Sequence, residues 1–282
     1  MTEKEAADAF LKFFSDRFYG KINPSEYALS YSGGKDSHLL YWIIKEYLKE
    51  DRVTIVGVNT SFEIPEIRDR IINNSDVVLK PNMHRYEIKE RYGIPCFSKH
   101  HDEYIYRYQH GNRSENTMNY IMGKNPILNL NKKARTLLLE DKLHPISNKC
   151  CLENKEKPLQ KWQKQNNKKA IIGIRQAESL QRKNAYHTCL NTRNGVFTPL
   201  YDWTDEMVDL VYRAYSIPIP NCYNYLSRTG CGGCPYGRNT ETELALLPRL
   251  QRINTVKYFQ ESYDVLGVDY NNIQTLFGYE ET

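Results

Sequence analysis

Apolar positions recur along the chain at two periods, and their alternation predicts an α/β fold. Ala6, Phe10, Phe13, Phe14 and Phe18 fall at helical spacing in residues 1–20, the stripe of an amphipathic helix that covers a core. Tyr27-Ala28-Leu29-Ser30-Tyr31 is a short apolar run and Val53-Thr54-Ile55-Val56-Gly57-Val58 a continuous one, as in strands buried on both faces of a parallel sheet. Between them Leu39, Leu40, Ile43, Ile44, Tyr47 and Leu48 mark a helix. A polar helix from about Pro65 to Asn73 and a strand over 76–79 continue the alternation, and residues 169–174 read as another buried strand. Phe197-Thr198-Pro199-Leu200 reads as a brief edge segment. Thr204, with Asp205 and Glu206 after it, is a helix start that Ile217-Pro218-Ile219-Pro220 stops. The expected architecture is a mostly parallel, doubly wound sheet.

From Pro81 to about Leu130 the pattern blurs, which reads as an insertion. No linker divides the chain cleanly. Residues 1–236 are therefore expected to form one body that includes a cysteine-rich part, with 237–282 a C-terminal helical extension.

Ser32-Gly33-Gly34-Lys35-Asp36-Ser37 sits between the first strand and its helix, and this is the geometry of an anion site. Successive glycines allow positive φ and close approach of backbone to ligand, while the helix start offers unpaired N–H groups and the serines offer hydroxyls. Lys35 adds a mobile positive charge. The spacing fits neither a Walker loop nor the G-x-G-x-x-G turn of dinucleotide folds.

Composition bounds the setting. Hydrophobic content of 40% and charged content of 26% are those of a soluble globule, no apolar run approaches the roughly 20 residues that cross a bilayer, and the N-terminus has no signal pattern. A cytoplasmic location is the default expectation. Charge is uneven: residues 131–183 hold fourteen Lys or Arg against five Asp or Glu, an excess of nine in a chain of net charge +5. That segment should face something anionic, or be a solvated connection. Residues 104–113 interleave tyrosines with His110, Arg107 and Arg113, a composition that can stack on bases but suits an insertion helix packed on its domain better. His100-His101 has no partner at metal-ligand spacing.

Seven cysteines without a secretory signal favour metal binding or catalysis over disulfides. Cys150 and Cys151 are adjacent, and Cys231-Gly232-Gly233-Cys234 follows after 79 intervening residues. A Cys-x-x-Cys turn presents two sulfurs to one site, and a second pair completes four thiolates for zinc or an iron–sulfur cluster. Adjacent side chains aim poorly at one small ion, whereas on a cubane each sulfur takes its own iron, so [4Fe–4S] is favoured over zinc. Cys96, Cys189 and Cys222 read as small buried hydrophobes, with Cys222 close enough in sequence to be a reactive neighbour.

These motifs resemble a known family. The loop is similar to the SGGxDS loop of the PP-loop superfamily, and the Cys-Cys…Cys-x-x-Cys spacing resembles the cluster pattern of the adenylylsulfate reductases within the phosphoadenylylsulfate (PAPS) reductase family. So do Asn59-Thr60 with Pro65-Glu66, Gly173 to Ser179 with Arg182, and Pro199 with Trp203 leading to Thr229-Gly230-Cys231. The resemblance implies an adenine nucleotide α-hydrolase-like sheet, with ATP or a sulfonucleotide on Ser32, Gly33, Gly34, Lys35, Asp36, Ser37, Asn59, Thr60, Arg175 and Arg182. Of these, Lys35, Asp36 and Arg175 carry the catalytic expectation and Asp36 can serve Mg²⁺. An ion pair with Glu178 is the plain structural alternative for Arg175. The cluster falls on Cys150, Cys151, Cys231 and Cys234. Two chemistries follow, nucleotide-dependent sulfur transfer or sulfonucleotide reduction. The family's reductases use a cysteine in a Glu-Cys-Gly segment near the chain end, and this sequence has none after Cys234, so reduction would need Cys222 or a partner. A sulfur- or electron-donor protein and a nucleic-acid acceptor are the partners implied. Two other readings stand beside these: a non-catalytic nucleotide-binding protein with a structural metal, and the ATP pyrophosphatase subunit of a nucleic-acid modification system.

Overall fold

The computed structural model describes residues 2–276, the side chains of Leu180 and Gln181 excepted. The last six residues of the expected C-terminal extension lie outside the described residues. The chain gathers into two compact units rather than one continuous body. Among the described residues the first comprises 2–61, 65–80 and 158–228, and the second 62–64, 81–157 and 229–276. Each unit is assembled from separate stretches of chain, so no single linker exists for the sequence to reveal.

The first unit is built on a four-stranded parallel sheet of β1 (Tyr27–Tyr31), β2 (Thr54–Val58), β3 (Val77–Leu79) and β4 (Lys169–Ile171), in the order β3-β2-β1-β4. Ala28 pairs with Thr54 on one side and with Ala170 on the other. Helices α1 (Glu3–Lys21), α2 (Lys35–Trp42) and α3 (Pro65–Asn74) belong to this unit. A π-helical turn, Ile43–Tyr47, extends α2.

Helix α1 begins at a reciprocal cap, in which Thr2 Oγ1 accepts from the Glu5 amide at 3.2 Å and Glu5 Oε2 from the Thr2 amide at 2.7 Å. Its buried face is Ala7, Leu11, Phe14 and Phe18. Phe13, counted in the apolar stripe from sequence, is 52% exposed, because the 4-3-4 spacing of the buried four places it outside their arc. Phe14 packs on Phe18 and Trp203, in a core with Leu29, Ile55 and Val211. Thr204 caps helix Asp205–Ala214 as its sequence predicts, accepting from the Met207 amide.

Strand β4 is shorter than the six residues expected, 169–174. After Ile171 the chain leaves the ladder: the Ile172 amide turns to the Phe197 carbonyl, and Gly173 lies against the first turn of α2. Phe197 forms only isolated bridges, with Ile171 and Leu190.

Among its described residues the second unit is largely helical. Helices Arg85–Tyr92, Lys99–Gln109, Glu115–Met122 and Lys132–Leu139 fill the insertion predicted near 81–130 and run past it. Cys96, Ile105, Tyr120, Ile121, Leu130 and Ile146 form their core. Tyr104 stacks on Tyr120 at 3.8 Å, so the tyrosine-rich stretch contributes rings to this packing. His101 is hydrogen-bonded to Tyr120 at 2.6 Å and His100 lies edge-on to the same ring. Helix Arg249–Leu266 brings Tyr258 and Phe259 onto Phe62.

Phe14→Ala should cost about 3–5 kcal/mol in urea unfolding, as a ring removed from a closed core does. Phe13→Ala, one position away but exposed, should change stability by less than about 0.5 kcal/mol.

Candidate functional site

In the first unit the chain runs from β1 through α2, β2 and α3 to β3 on one side, and β4 lies on the other side of β1. The strand order thus reverses between β1 and β4, the place where open α/β sheets bind ligands beyond their strand ends. Residues 32–37 leave β1 at that point and residues 172–178 leave β4 beside them. A Cβ on Gly173 would stand 3.0 Å from the Ser37 nitrogen, so the two segments touch.

The turn depends on Gly33, with φ of +71°. A Cβ there would lie 2.8 Å from the Ile67 carbonyl oxygen of α3, so both conformation and space require glycine. Gly34 has ordinary extended backbone and, as N-cap of α2, no side chain with which to cap. Ser37 Oγ turns back to the Gly34 carbonyl at 3.0 Å and pairs with Ser32 Oγ at 2.9 Å. The two hydroxyls thus brace the loop.

Lys35 is held at each of its polar ends. Its amide donates to Tyr223 Oη at 2.7 Å, its carbonyl accepts from Tyr212 Oη at 2.8 Å, and its ammonium pairs with Asp209. Asp36 accepts from Arg175 Nε at 2.9 Å, and Arg175 Nη2 donates to Asp205 at 2.7 Å. Burial pushes the Asp36 carboxyl up against the opposing pull of Arg175. Burial likewise works against the Arg175 charge, but Asp36 and Asp205 more than offset it and hold the guanidinium charged. The ion pair that sequence offered for Arg175, with Glu178, takes another form: Glu178 accepts from the Arg175 backbone amide and pairs with Arg182 and Arg228. Burial and the neighbouring Arg228 charge pull Arg182 down. Asn59 and Thr60 stand at the end of β2, where Asn59 Oδ1 accepts from the Ser61 amide at 3.0 Å and Thr60 is buried.

Sequence reasoning missed Tyr223, Asp209, Tyr212, Asp205 and Arg228 here. Asp209 and Tyr212 lie three apart on a predicted helix and so share a face, a usable signal; Tyr223 had none. Arg70 of α3 was also missed. Its Nη1 is buried with no hydrogen-bond partner, and its charge reaches Tyr31, His38, Tyr212 and Cys222. Cys222 is fully buried, its amide donates to Glu66, and burial with the Glu66 charge pushes its thiol up to about 12. It is therefore a thiol at neutral pH and a poor nucleophile.

The four cysteines expected to bind metal lie in the second unit. Cys150 and Cys151 close the short helix Lys149–Cys151, which continues as a π-helical turn over Leu152–Glu156. Cys231 and Cys234 flank a turn in which the Gly232 amide donates to the Phe62 carbonyl and the Gly233 amide to Glu243. Burial raises the Cys150 thiol to about 12 and the Cys231 thiol to about 11, and raises Cys234 as well. Charge on Cys151 adds to all three effects, so the sulfurs share one neighbourhood. Among the described residues no three His, Cys, Asp or Glu side chains converge at the spacing of a single metal ion.

The surroundings suit a thiolate-bound group. Burial opposes the Lys155 charge, but Cys231, Glu63 and Cys151 outweigh it and keep the ammonium protonated, 3.3 Å from Glu63. Asn154 Nδ2 donates to Cys150 Sγ at 3.3 Å. The Tyr258 hydroxyl is buried without a nitrogen or oxygen partner, and burial pushes its pKa up. Donors gathered on buried sulfurs match what an anionic metal–thiolate centre needs.

A family model described as the phosphoadenosine phosphosulfate reductase domain matches residues 26–236. No curated protein matches the chain. Among solved structures it is similar to the U34-tRNA thiolase NcsA from Methanococcus maripaludis with its [4Fe-4S] cluster, at 12% identity and a TM-score of 0.39, over 94% of this chain and 78% of that one. No helix among the described residues is long and apolar enough to cross a membrane.

Gly33→Ala should cost roughly 2 kcal/mol of stability from the left-handed backbone alone, read in urea unfolding. A pH effect follows from His38, buried behind the loop 2.8 Å from Tyr31 Oη, where burial and then Arg70 lower its pKa to about 3. The unfolded chain takes up this proton near pH 6.5 and the folded chain does not. Stability from His38 is therefore complete above about pH 6.5 and falls by about 1.4 kcal/mol per pH unit below it, until about pH 3. Urea midpoints from pH 7 to pH 4 should fall less steeply in His38→Gln than in the natural chain.

Proposed function

Since the chain belongs to the phosphoadenosine phosphosulfate reductase domain family, we propose that it binds an adenine nucleotide at residues 32–37 and uses it in sulfur transfer. The observation that carries this reading is the Gly33 turn at the β1/β4 reversal, with Lys35, Arg175 and Arg182 on the segments around it.

The residues have separable tasks. Amides at the start of α2 bind phosphate oxygens, and Ser32 and Ser37 fix the loop that presents them. Arg175 is oriented by Asp36 and Asp205, so its planar fork is aligned before ligand arrives. Lys35 and Arg182 stabilise negative charge that builds on phosphate oxygens. With ATP, an acceptor oxygen attacks the α-phosphorus and the bond to the β-phosphate oxygen breaks. Pyrophosphate leaves, and a sulfur nucleophile then displaces AMP from the acceptor carbon. Asp36, the carboxylate on the loop, would hold Mg²⁺, which would supply neutralisation of the phosphate charge. Reduction of a sulfonucleotide is the weaker reading, because Cys222, the thiol it would need within this unit, is buried and protonated.

Cys150, Cys151, Cys231 and Cys234 would hold a [4Fe–4S] cluster. Vicinal cysteines on a helix point about 100° apart, which suits separate irons better than one zinc ion. When bound, such a cluster supplies a site for sulfur or for an electron. The acceptor in this reading is a nucleic acid, and the sulfur comes from a donor protein.

Lys35→Ala should lower ATP turnover to AMP and pyrophosphate at least about a hundredfold while the fold persists. Full activity in that variant would refute the assignment. Protein purified without oxygen should contain roughly four iron and four acid-labile sulfide per chain. Cys231→Ser should lose most of both, whereas one zinc and a colourless protein would make the centre structural.

A further inference from the structure

The loop's best anion-binding groups are engaged by side chains from other elements. The Lys35 amide, the first free N–H of α2, is the donor a phosphate oxygen would take, and it is given to the Tyr223 phenol at 2.7 Å. The Lys35 ammonium, which would meet the next anionic group, is paired with Asp209 and lies over the Tyr212 ring. Both contacts come from elements other than the loop. Tyr223 rides on the short turn Asn221–Asn224, which follows the Ile217–Pro220 break and is fixed by the Cys222 amide on Glu66. Asp209 lies on helix Asp205–Ala214, three residues before Tyr212.

Neither contact is strong. The phenol is a neutral acceptor, and charge-assisted bonds to an anion are roughly twice as strong, so a phosphate oxygen outcompetes it. The ammonium and carboxylate are 29% and 43% exposed, where ion pairs contribute little. Resting on the nucleotide-site reading above, we propose that Tyr223 and Asp209 form a latch on Lys35. The latch holds the loop's amide and its cation out of use until a ligand with two adjacent anionic groups, a phosphoanhydride or phosphosulfate anhydride, displaces both. A single phosphate recovers only one of the two contacts, so the latch favours anhydrides over orthophosphate. Tyr223 and Asp209 are positioning residues: they act through Lys35.

The test is titration calorimetry of the full chain with inorganic pyrophosphate and with orthophosphate, at fixed ionic strength, for the natural sequence, Tyr223→Phe, Asp209→Asn and the double variant. Both replacements keep side-chain shape, and thermal unfolding checks the fold. Each single variant should bind pyrophosphate about two- to fivefold more tightly, the range expected for one weak polar contact. In the double variant the pyrophosphate gains should multiply to roughly tenfold, while orthophosphate gains no more than in the better single variant. Loss of a local negative charge without any latch predicts another pattern, in which Asp209→Asn raises both affinities alike and Tyr223→Phe changes neither; that result overturns the proposal. Weaker pyrophosphate binding in Tyr223→Phe also overturns it, since the phenol would then be a ligand contact. Absence of pyrophosphate binding in all four forms overturns the nucleotide-site reading and the latch together.

Discussion

The close approach of the Gly33 backbone to the Ile67 carbonyl is the constraint on which the rest of the site depends. A left-handed residue is needed to turn the chain from the end of β1 into the start of α2 within three residues, and α3 leaves no room for a side chain there. The direction of the α2 amides, the meeting of Ser32 with Ser37, and the place where Lys35 emerges all follow from that turn. A second tight approach, of Gly173 to the same helix start, brings the segment after β4 against it. That contact delivers Arg175 to Asp36 and makes one site of two strand ends.

In the first unit the charges around this turn are arranged in pairs. Lys35 faces Asp209, Arg175 faces Asp36 and Asp205, and Arg182 and Arg228 share Glu178. The attraction left for an incoming anion comes from the helix-start amides and from Arg70, whose buried Nη1 has no partner. Most of the cations around the turn are thus neutralised by carboxylates within the same unit. The second unit uses the opposite arrangement, with thiols held protonated by burial and Lys155 and Asn154 already turned towards them.

The sequence made the local features legible and left the long-range ones hidden. Strands β1 and β2, helix α3 and the Thr204 cap lie within a residue or so of expectation, because each is written in a short pattern of apolar residues and turn or cap chemistry. The cysteine pairs, far apart in sequence, were expected to gather, and in the second unit their sulfurs lie in one neighbourhood. Phe13 was misplaced because five aromatic and small residues on one helix do not reveal which arc meets the core. Strand β4 was overlong because Ile172 and Ile174 are as apolar as strand residues, yet the chain is drawn off by Phe197 and by the start of α2. The contacts of Lys35 join residues 174 and 188 positions apart, and no periodicity carries that information. The partition into two units was hidden for a related reason, as each is closed by stretches that return late in the chain.

The strand order has a consequence for synthesis. Strands β1, β2 and β3 emerge from the ribosome in succession, but the neighbour on the open side of β1 arrives only after residues 81–168 have been made. At roughly 5–20 residues per second that interval is on the order of 4 to 18 s. Through it the β1 edge presents unpaired N–H and C=O groups, a template for any extended chain nearby. The nascent protein is most exposed to mispairing during this delay, and the reversal of strand order between β1 and β4 is among the last features of the first unit to form.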